Sequence, residues 1–167
     1  RDYKRYPRNN KKDLSILKRL KVNFVYLPKT RDIYEFSRKR KIKLDKKDNV
    51  LCAKYRKGHF EGVIDVMDRL TKMIKPKKIY MGEKDYQQLY LVKRYIEKKH
   101  KSKIVECKTI RNSNKLALSS RNVLLKKNGL NKAEKLTQNL IILKKKILKK
   151  KNKNKIINNK KKKINKI

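Results

Sequence analysis

Lys78-Ile79-Tyr80-Met81-Gly82-Glu83-Lys84-Asp85-Tyr86-Gln87-Gln88 is the stretch that decides the fold. Lys78 to Met81 reads as a short buried strand. Beyond it, Leu89, Val92 and Ile96 recur at helical spacing and mark an amphipathic helix over Tyr86 to Lys99. A strand that ends in glycine and turns into a helix leaves backbone N–H groups unpaired at the helix start, where the macrodipole favours a phosphate. A lysine and an acid stand at that point. Lys84 can neutralise phosphate charge, and Asp85 can hold a magnesium ion or a ribose hydroxyl.

The flanking chain continues the alternation. Phe60, Val63, Ile64, Met67, Leu70, Met73 and Ile74 fall on one helical face closed by Pro76, and a second strand is predicted over Ile104 to Cys107. Further upstream lie a helical stretch, Lys11 to Leu20, an extended run, Val22 to Leu27, closed by Pro28, and a short helix near Thr30 to Phe36. The charged run Ser37 to Lys47 reads as a solvated loop or weak edge strand. Strand, helix and strand joined by short connections predict an α/β fold with a parallel sheet and crossover helices.

A second motif, Leu116-Ala117-Leu118-Ser119-Ser120-Arg121-Asn122, follows a polar, turn-forming segment, Arg111 to Lys115. Hydroxyls beside an arginine suit a mobile loop that clamps a triphosphate. Each charge-assisted hydrogen bond from Arg121 to a phosphate oxygen would contribute roughly 1.5–3 kcal/mol. Contacts that strengthen as pyrophosphate leaves would also accelerate the chemistry.

Together with Arg5-Tyr6-Pro7-Arg8, Asp13-Leu14, Val22 to Pro28 and Gly58-His59-Phe60-Glu61-Gly62-Val63, these motifs resemble the pantothenate synthetase (pantoate beta-alanine ligase) family. They do so in its order and spacing from about Arg1 to Leu125. The resemblance implies a Rossmann-like, nucleotidyltransferase-type sheet, a homodimer, and a two-step reaction using ATP and Mg2+. Pantoate attacks the α-phosphate of ATP to give pantoyl adenylate and pyrophosphate, and beta-alanine then displaces AMP.

Carried over by position, Gly82, Glu83, Lys84 and Asp85 match one ATP-binding segment, and Leu118, Ser119, Ser120 and Arg121 match the other. Lys84, Ser119, Ser120 and Arg121 take catalytic roles, and Asp85 is the magnesium candidate. Ile110 falls where the family makes a backbone contact to adenine. Gln88 matches a pantoate-binding residue; adjacent helical side chains point about 100° apart, so only one of Gln87 and Gln88 should face the pocket. Arg56 and His59 match the segment near the pantoate pocket.

Some family features have no counterpart in this sequence. The family's first strand, its paired histidines near the ATP phosphates and its Asn-Pro-Gln-Phe motif do not occur, and His59 and His100 are the only histidines. Residues 1–121 are therefore read as a partial ATP and pantoate domain that starts inside the fold. Residues 122–151 read as a remnant of the family's small C-terminal domain, a helix carrying Leu130, Ala133, Leu136, Leu140, Leu143, Ile147 and Leu148. Residues 152–167 form a lysine-rich, low-complexity tail expected to fray.

Composition taken alone points elsewhere. Lys and Arg number 54 against 14 Asp and Glu, a net charge of +40, which suggests a nucleic-acid or anionic-surface partner. Yet the excess is lysine spread along the whole chain, aromatics are 7%, and no nucleic-acid-binding signature appears. Lysine, isoleucine and asparagine share AT-rich codons, so the charge reads as base composition acting on permissive surface positions. Polyanion binding is expected only as non-specific, salt-sensitive attraction.

No apolar run approaches the ~20 residues of a membrane span, and the expectation is a cytoplasmic protein with no membrane partner. Cys52 and Cys107 lack metal-ligand or redox spacing and read as small buried residues. Two alternatives stay open: another adenylate-forming nucleotidyltransferase, and an inactive basic remnant that binds nucleic acid non-specifically.

Overall fold

In the computed structural model, residues 7, 9–34, 42–149 and 153–164 are described. The chain divides into two compact units, Leu17–Lys108 and a second that joins Arg1–Ile16 to Thr109–Ile167.

In the first unit, α2 (Thr30–Tyr34), α3 (Cys52–Tyr55) and α4 (His59–Ile74) precede β1 (Lys78–Gly82), and α5 (Tyr86–Lys99) leads to β2 (Lys103–Cys107). α1 (Asn10–Arg19) straddles the boundary of the two units. β1 and β2 pair in parallel, with Lys78 opposite Lys103 and Gly82 opposite Cys107. Helix α5 is the crossover between them, as the alternation predicts. Lys103 N–H donates to Lys77 O at 2.9 Å, and Ser102 Oγ donates to Pro76 O at 2.5 Å, so the ladder is tied at its lower end.

The core comprises Ala53, Phe60, Ile64, Leu89, Leu91, Val92, Ile96 and Ile104. It lies where α4 and α5 cover one face of the two strands. Leu89, Val92 and Ile96 are among its most buried members, and their i, i+3, i+7 spacing makes α5 the central helix.

Several expectations are corrected here. β1 is half-exposed: Ile79 and Met81 pack against the core while Tyr80 faces outward. The described sheet has two strands, so helices cover one face and the other stays open. Val22 to Leu27 forms no ladder among the described residues, and Phe24 is 92% exposed; an apolar extended run without a paired strand has no sheet face to enter.

On α4, Met73 and Ile74 emerge at the surface while Asp65, Asp68, Arg69 and Thr71 are buried. Ion pairing makes the burial of Asp65, Asp68 and Arg69 tolerable. Arg69 Nε donates to Asp65 Oδ1 at 2.9 Å, its Nη1 reaches Ile33 O at 3.4 Å, and its guanidinium sits 4.8 Å from the centre of the Tyr34 ring, holding α2 against α4. Cys52 is exposed and Cys107 half-buried, because Cys52 opens the surface helix α3 and Cys107 ends the open strand β2. Residues 35–41, including the end of the predicted short helix and most of the charged run's start, lie outside the described residues. Lys46–Asp48 is a 3-10 turn.

In the second unit, a 3-10 turn at Ser120–Leu124 leads to α6 (Lys127–Lys149) and α7 (Lys153–Ile164). The tail expected to fray is helical over most of its length. Ile156, Ile157 and Ile164 are half-buried, the two helices pack together, and Lys160 Nζ donates to Asn139 Oδ1 at 2.6 Å. Lysine is a fair helix former, and a few isoleucines supply the packing that low complexity hid.

Candidate functional site

β1 delivers Gly82 in an extended conformation, and a 3-10 turn, Glu83–Asp85, separates it from α5. The strand therefore does not run straight into the helix as its sequence suggests. Asp85 takes the N-cap position without a side-chain capping bond, and its carboxylate pairs with Lys84 Nζ at 3.1 Å. Both side chains are solvated, so the pair is weak and either partner is available to a ligand. A bound phosphate would compete with Asp85 for Lys84. Glu83 is half-buried in the same turn.

Asp85 provides one carboxylate. Among the described residues, no group of three or more His, Cys, Asp or Glu side chains is placed to hold a metal ion.

Gln87 and Gln88 separate as helical geometry requires. The Gln87 amide turns to the backbone of the 48–52 segment, donating to Val50 O at 2.8 Å and accepting from Cys52 N–H at 3.0 Å. Gln88, the expected pantoate residue, is half-buried on an adjacent face. The same segment is held from α5 by Arg94, whose guanidinium bonds both Asp48 oxygens at 2.5 and 3.1 Å and Asp45 Oδ2 at 2.6 Å. A cavity of about 270 Å³ opens beside it, lined by Asp48, Val50, Leu51, Tyr86, Gln87, Tyr90 and Leu91.

Arg56 ends α3 and is exposed, and its carbonyl accepts His59 N–H at 3.0 Å. Gly58 has φ +76, a left-handed conformation that starts α4 at His59 and that side-chain-bearing residues avoid. The His59 ring lies 5.0 Å from that of Phe60. Partial burial, and secondarily the positive charge of Arg56, hold its imidazole below the ordinary 6.5, with Glu61 opposing. His59 is thus biased toward the neutral form, which can accept a hydrogen bond.

The other predicted residues belong to the second unit. Ile110 to Leu118 folds back on itself: Leu118 N–H donates to Ile110 O at 2.9 Å, Asn112 N–H donates to Leu116 O at 2.9 Å, and Arg111 bridges to Ala117. Lys115 has φ +70 at the tip. Asn112 and Asn114 each donate a side-chain N–H to the Glu134 carboxylate on α6, at 3.0 and 2.9 Å. The turn-forming segment Arg111 to Lys115 is thus the tip of a hairpin, tied to α6 through Glu134. The Ile110 carbonyl, in the position expected to meet adenine, already takes one hydrogen bond. Ser119 is half-buried and its Oγ accepts Arg121 N–H at 3.3 Å, capping the 3-10 turn, while Leu118, Ser120 and Arg121 are exposed. Asn122 Nδ2 donates to Ala117 O at 3.0 Å.

Gly82 through Asp85, Gln88, Arg56 and His59 therefore lie in the first unit, and Ile110 with Leu118 through Arg121 in the second. Sequence reading passed over Gln87, Arg94 and Glu134 as structural anchors. Glu134 had a signal, since it is the only acid after Glu106.

A parallel strand, helix and strand unit with a Gly-Glu-Lys-Asp turn at the strand end, joined in one chain to a Ser-Ser-Arg turn, defines an α/β protein. Comparison with known proteins narrows this. A sequence model described as Pantoate-beta-alanine ligase matches residues 1–167, and the chain belongs to that family. Pantothenate synthetase of Pseudothermotoga lettingae is 34% identical over 142 residues, covering 84% of this chain and 50% of that protein. The Helicobacter pylori protein of the same name is 38% identical over 128 residues, 74% of this chain and 46% of its own length.

Solved structures agree. Pantothenate synthetase from Thermus thermophilus superposes with TM-score 0.81 at 33% identity, over 87% of this chain and 53% of that one. Pantoate-beta-alanine ligase from Francisella tularensis, crystallised with beta-gamma ATP and beta-alanine, superposes with TM-score 0.77 at 36% identity, over 82% and 53%. The chain spans about half the length of the curated relatives it matches.

Proposed function

We propose that this chain takes part in the ATP-dependent condensation of pantoate with beta-alanine, through pantoyl adenylate with release of pyrophosphate and AMP. The observation that carries the reading is the Gly82–Asp85 turn at the end of β1, in a chain matched to the ligase family along its whole length. Residues 1–121 form the ATP and pantoate part, 122–151 the remnant of a smaller domain, and 152–167 a basic tail. Homodimer formation and a cytoplasmic location accompany the family resemblance. Among the described residues no helix is long and apolar enough to cross a membrane.

In this reading Lys84 leaves its solvated pair with Asp85 to neutralise phosphate charge, and the backbone of Gly82 and Glu83 approaches the nucleotide. Arg121 donates charge-assisted hydrogen bonds to the phosphates as charge builds on the leaving pyrophosphate, with Ser119 and Ser120 adding hydroxyl donors. Leu118 and Ile110 contribute backbone contacts. Gln88 binds pantoate, supported by Arg56 and by neutral His59. Asp85 would offer one carboxylate oxygen ligand to a magnesium ion accompanying the nucleotide, which would supply charge neutralisation there.

Pantoate-dependent exchange of labelled pyrophosphate into ATP tests this, measured on the chain and on a fusion carrying the N-terminal segment of a relative. Exchange in either that is lost in Lys84→Ala and Arg121→Ala supports the ligase reading. Absence of exchange from both refutes it. The net charge of +40 favours one other reading, a basic surface that binds nucleic acid non-specifically. That reading predicts binding that falls steeply with salt and ignores ATP and pantoate.

A further inference from the structure

Gln87 and Gln88 are neighbours in sequence but not in what they touch. The Gln87 side chain meets the backbone on both sides of Leu51, with Oε1 accepting Cys52 N–H at 3.0 Å and Nε2 donating to Val50 O at 2.8 Å and reaching Asp48 O at 3.5 Å. Its amide pairs with the turn as a neighbouring strand would. Leu51, between those contacts, has φ +49 and ψ −125. Glycine adopts that region freely and leucine does so at a cost, so it persists only where the surroundings over-determine it.

Those surroundings come from one helix. Gln87 and Arg94 stand at i, i+7 on α5 and so share a face. Arg94 grips both Asp48 oxygens at the start of the turn, and Gln87 grips its end. From Cys52 the chain runs directly through α3 to Arg56, Gly58 and His59. The turn that launches the Arg56–His59 segment is therefore fastened to the helix that carries Gln88.

We propose that Gln87 is a positioning residue for the hydroxy-carboxylate substrate. It holds the Asp48–Cys52 turn in its strained form, and so fixes Arg56 and His59 relative to Gln88, which contacts the ligand. The proposal rests on the pantoate reading above and divides labour within the glutamine pair: one residue binds, the other aligns.

The test uses the full chain and reads two quantities, amide hydrogen exchange at Cys52 and dissociation constants for pantoate and ATP by calorimetry. Gln87→Ala removes the acceptor of the Cys52 N–H, so exchange there rises roughly tenfold or more, while Ile64 and Ile96 stay protected and show that the unit is folded. Pantoate affinity falls by a similar factor and ATP affinity stays within about twofold, a split that general destabilisation would not give. Gln87→Glu keeps an acceptor for Cys52 N–H but sets a carboxylate against the Val50 carbonyl, so it gives partial protection and an intermediate pantoate affinity.

Gln88→Ala serves as the contrast, losing pantoate with Cys52 exchange unchanged. Unaltered Cys52 exchange in Gln87→Ala overturns the proposal. So does wild-type pantoate affinity in Gln87→Ala when Gln88→Ala has lost it. If the wild-type chain takes up no pantoate, the proposed function fails and the alignment role is overturned with it. Cys52 exchange then still reports whether the turn depends on Gln87, so the two failures are told apart.

Discussion

Asp68→Asn should destabilise the Leu17–Lys108 unit. The Asp68 side chain is 0% exposed, and its oxygens meet Lys99 Nζ and His100 Nε2, each at 2.7 Å. A charge-assisted hydrogen bond contributes about 1.5–3 kcal/mol. Lys99 is 43% exposed, so its bond is screened and is worth at most about 1 kcal/mol. His100 is 16% exposed and its bond keeps most of its strength. Asparagine preserves the shape and one acceptor but removes the negative charge. Its N–H₂ either faces the Lys99 ammonium or requires the His100 tautomer whose Nε2 accepts, and both bonds lose the carboxylate's charge assistance. The expected loss is about 1.5–3 kcal/mol, below the ~3–5 kcal/mol of a fully buried pair because both partners are partly solvated.

Amide exchange at Val92, Ile96 and Ile104 reads this unit without mixing in the other. Protection there should fall by roughly 10- to 150-fold, the equivalent of that loss at ~1.4 kcal/mol per decade. His100→Ala should couple to Asp68→Asn by at least about 1 kcal/mol in a double-mutant cycle. Protection unchanged within about threefold in Asp68→Asn would refute the claim that this buried carboxylate is held by Lys99 and His100.

His59 should titrate below 6.5 by NMR, and Arg56→Ala should raise its midpoint only part of the way, because burial is the larger cause. Since the folded state favours neutral His59, its contribution to stability is complete above the unfolded value of about 6.5. It is lost as pH falls through the lowered folded value, so a variant lacking His59 but keeping His100 should show a shallower stability decline in that acid range. Gly58→Ala should cost about 1 kcal/mol in urea unfolding through its φ of +76 alone, because a Cβ there would meet no atom within 4 Å. Glu134→Ala should free Asn112 and Asn114 and speed exchange at Leu116 and Leu118, with α6 still helical by circular dichroism; unchanged exchange would mean that the hairpin does not need its clasp.

How much of this was legible follows from what each signal depends on. Helix α5 could be read to its ends because Leu89, Val92 and Ile96 report local periodicity, and β2 because Ile104 and Val105 form a short β-branched run between Lys103 and Glu106. The parallel pairing followed from the alternation of those elements. The burial of β1 could not be read, because Lys78 to Met81 is apolar enough for a covered strand and only the number of paired strands decides whether Tyr80 is covered. The α4 face was misjudged at its end for a related reason: Asp65 with Arg69, and Asp68 with Lys99 and His100, bury charge through partners distant in sequence or set by helix geometry, and hydropathy counts them as surface.

The site shows the same division in a form that bears on function. Residue types at the strand end, glycine, lysine and acid, declare what they can bind, and their chemistry is written in the residues themselves. Alignment is not: Gln87, Arg94 and Glu134 act on backbone, carboxylate and side-chain amide groups 20 to 46 positions away, and nothing in their local spacing marks them. In a chain with 14 acids against 54 basic residues, carboxylates are scarce, and Asp48, Asp68 and Glu134 are each spent on fastening one segment to a helix. An ordinary surface would scatter its few acids among solvated lysines, where exposed pairs contribute little. Asp32, Asp85 and Glu106 do sit in such solvated pairs, whereas Asp48, Asp68 and Glu134 hold the Asp48–Cys52 turn, α4 and the Ile110–Leu118 hairpin in place, so the loss of any of these three should cost more than the loss of a surface acid.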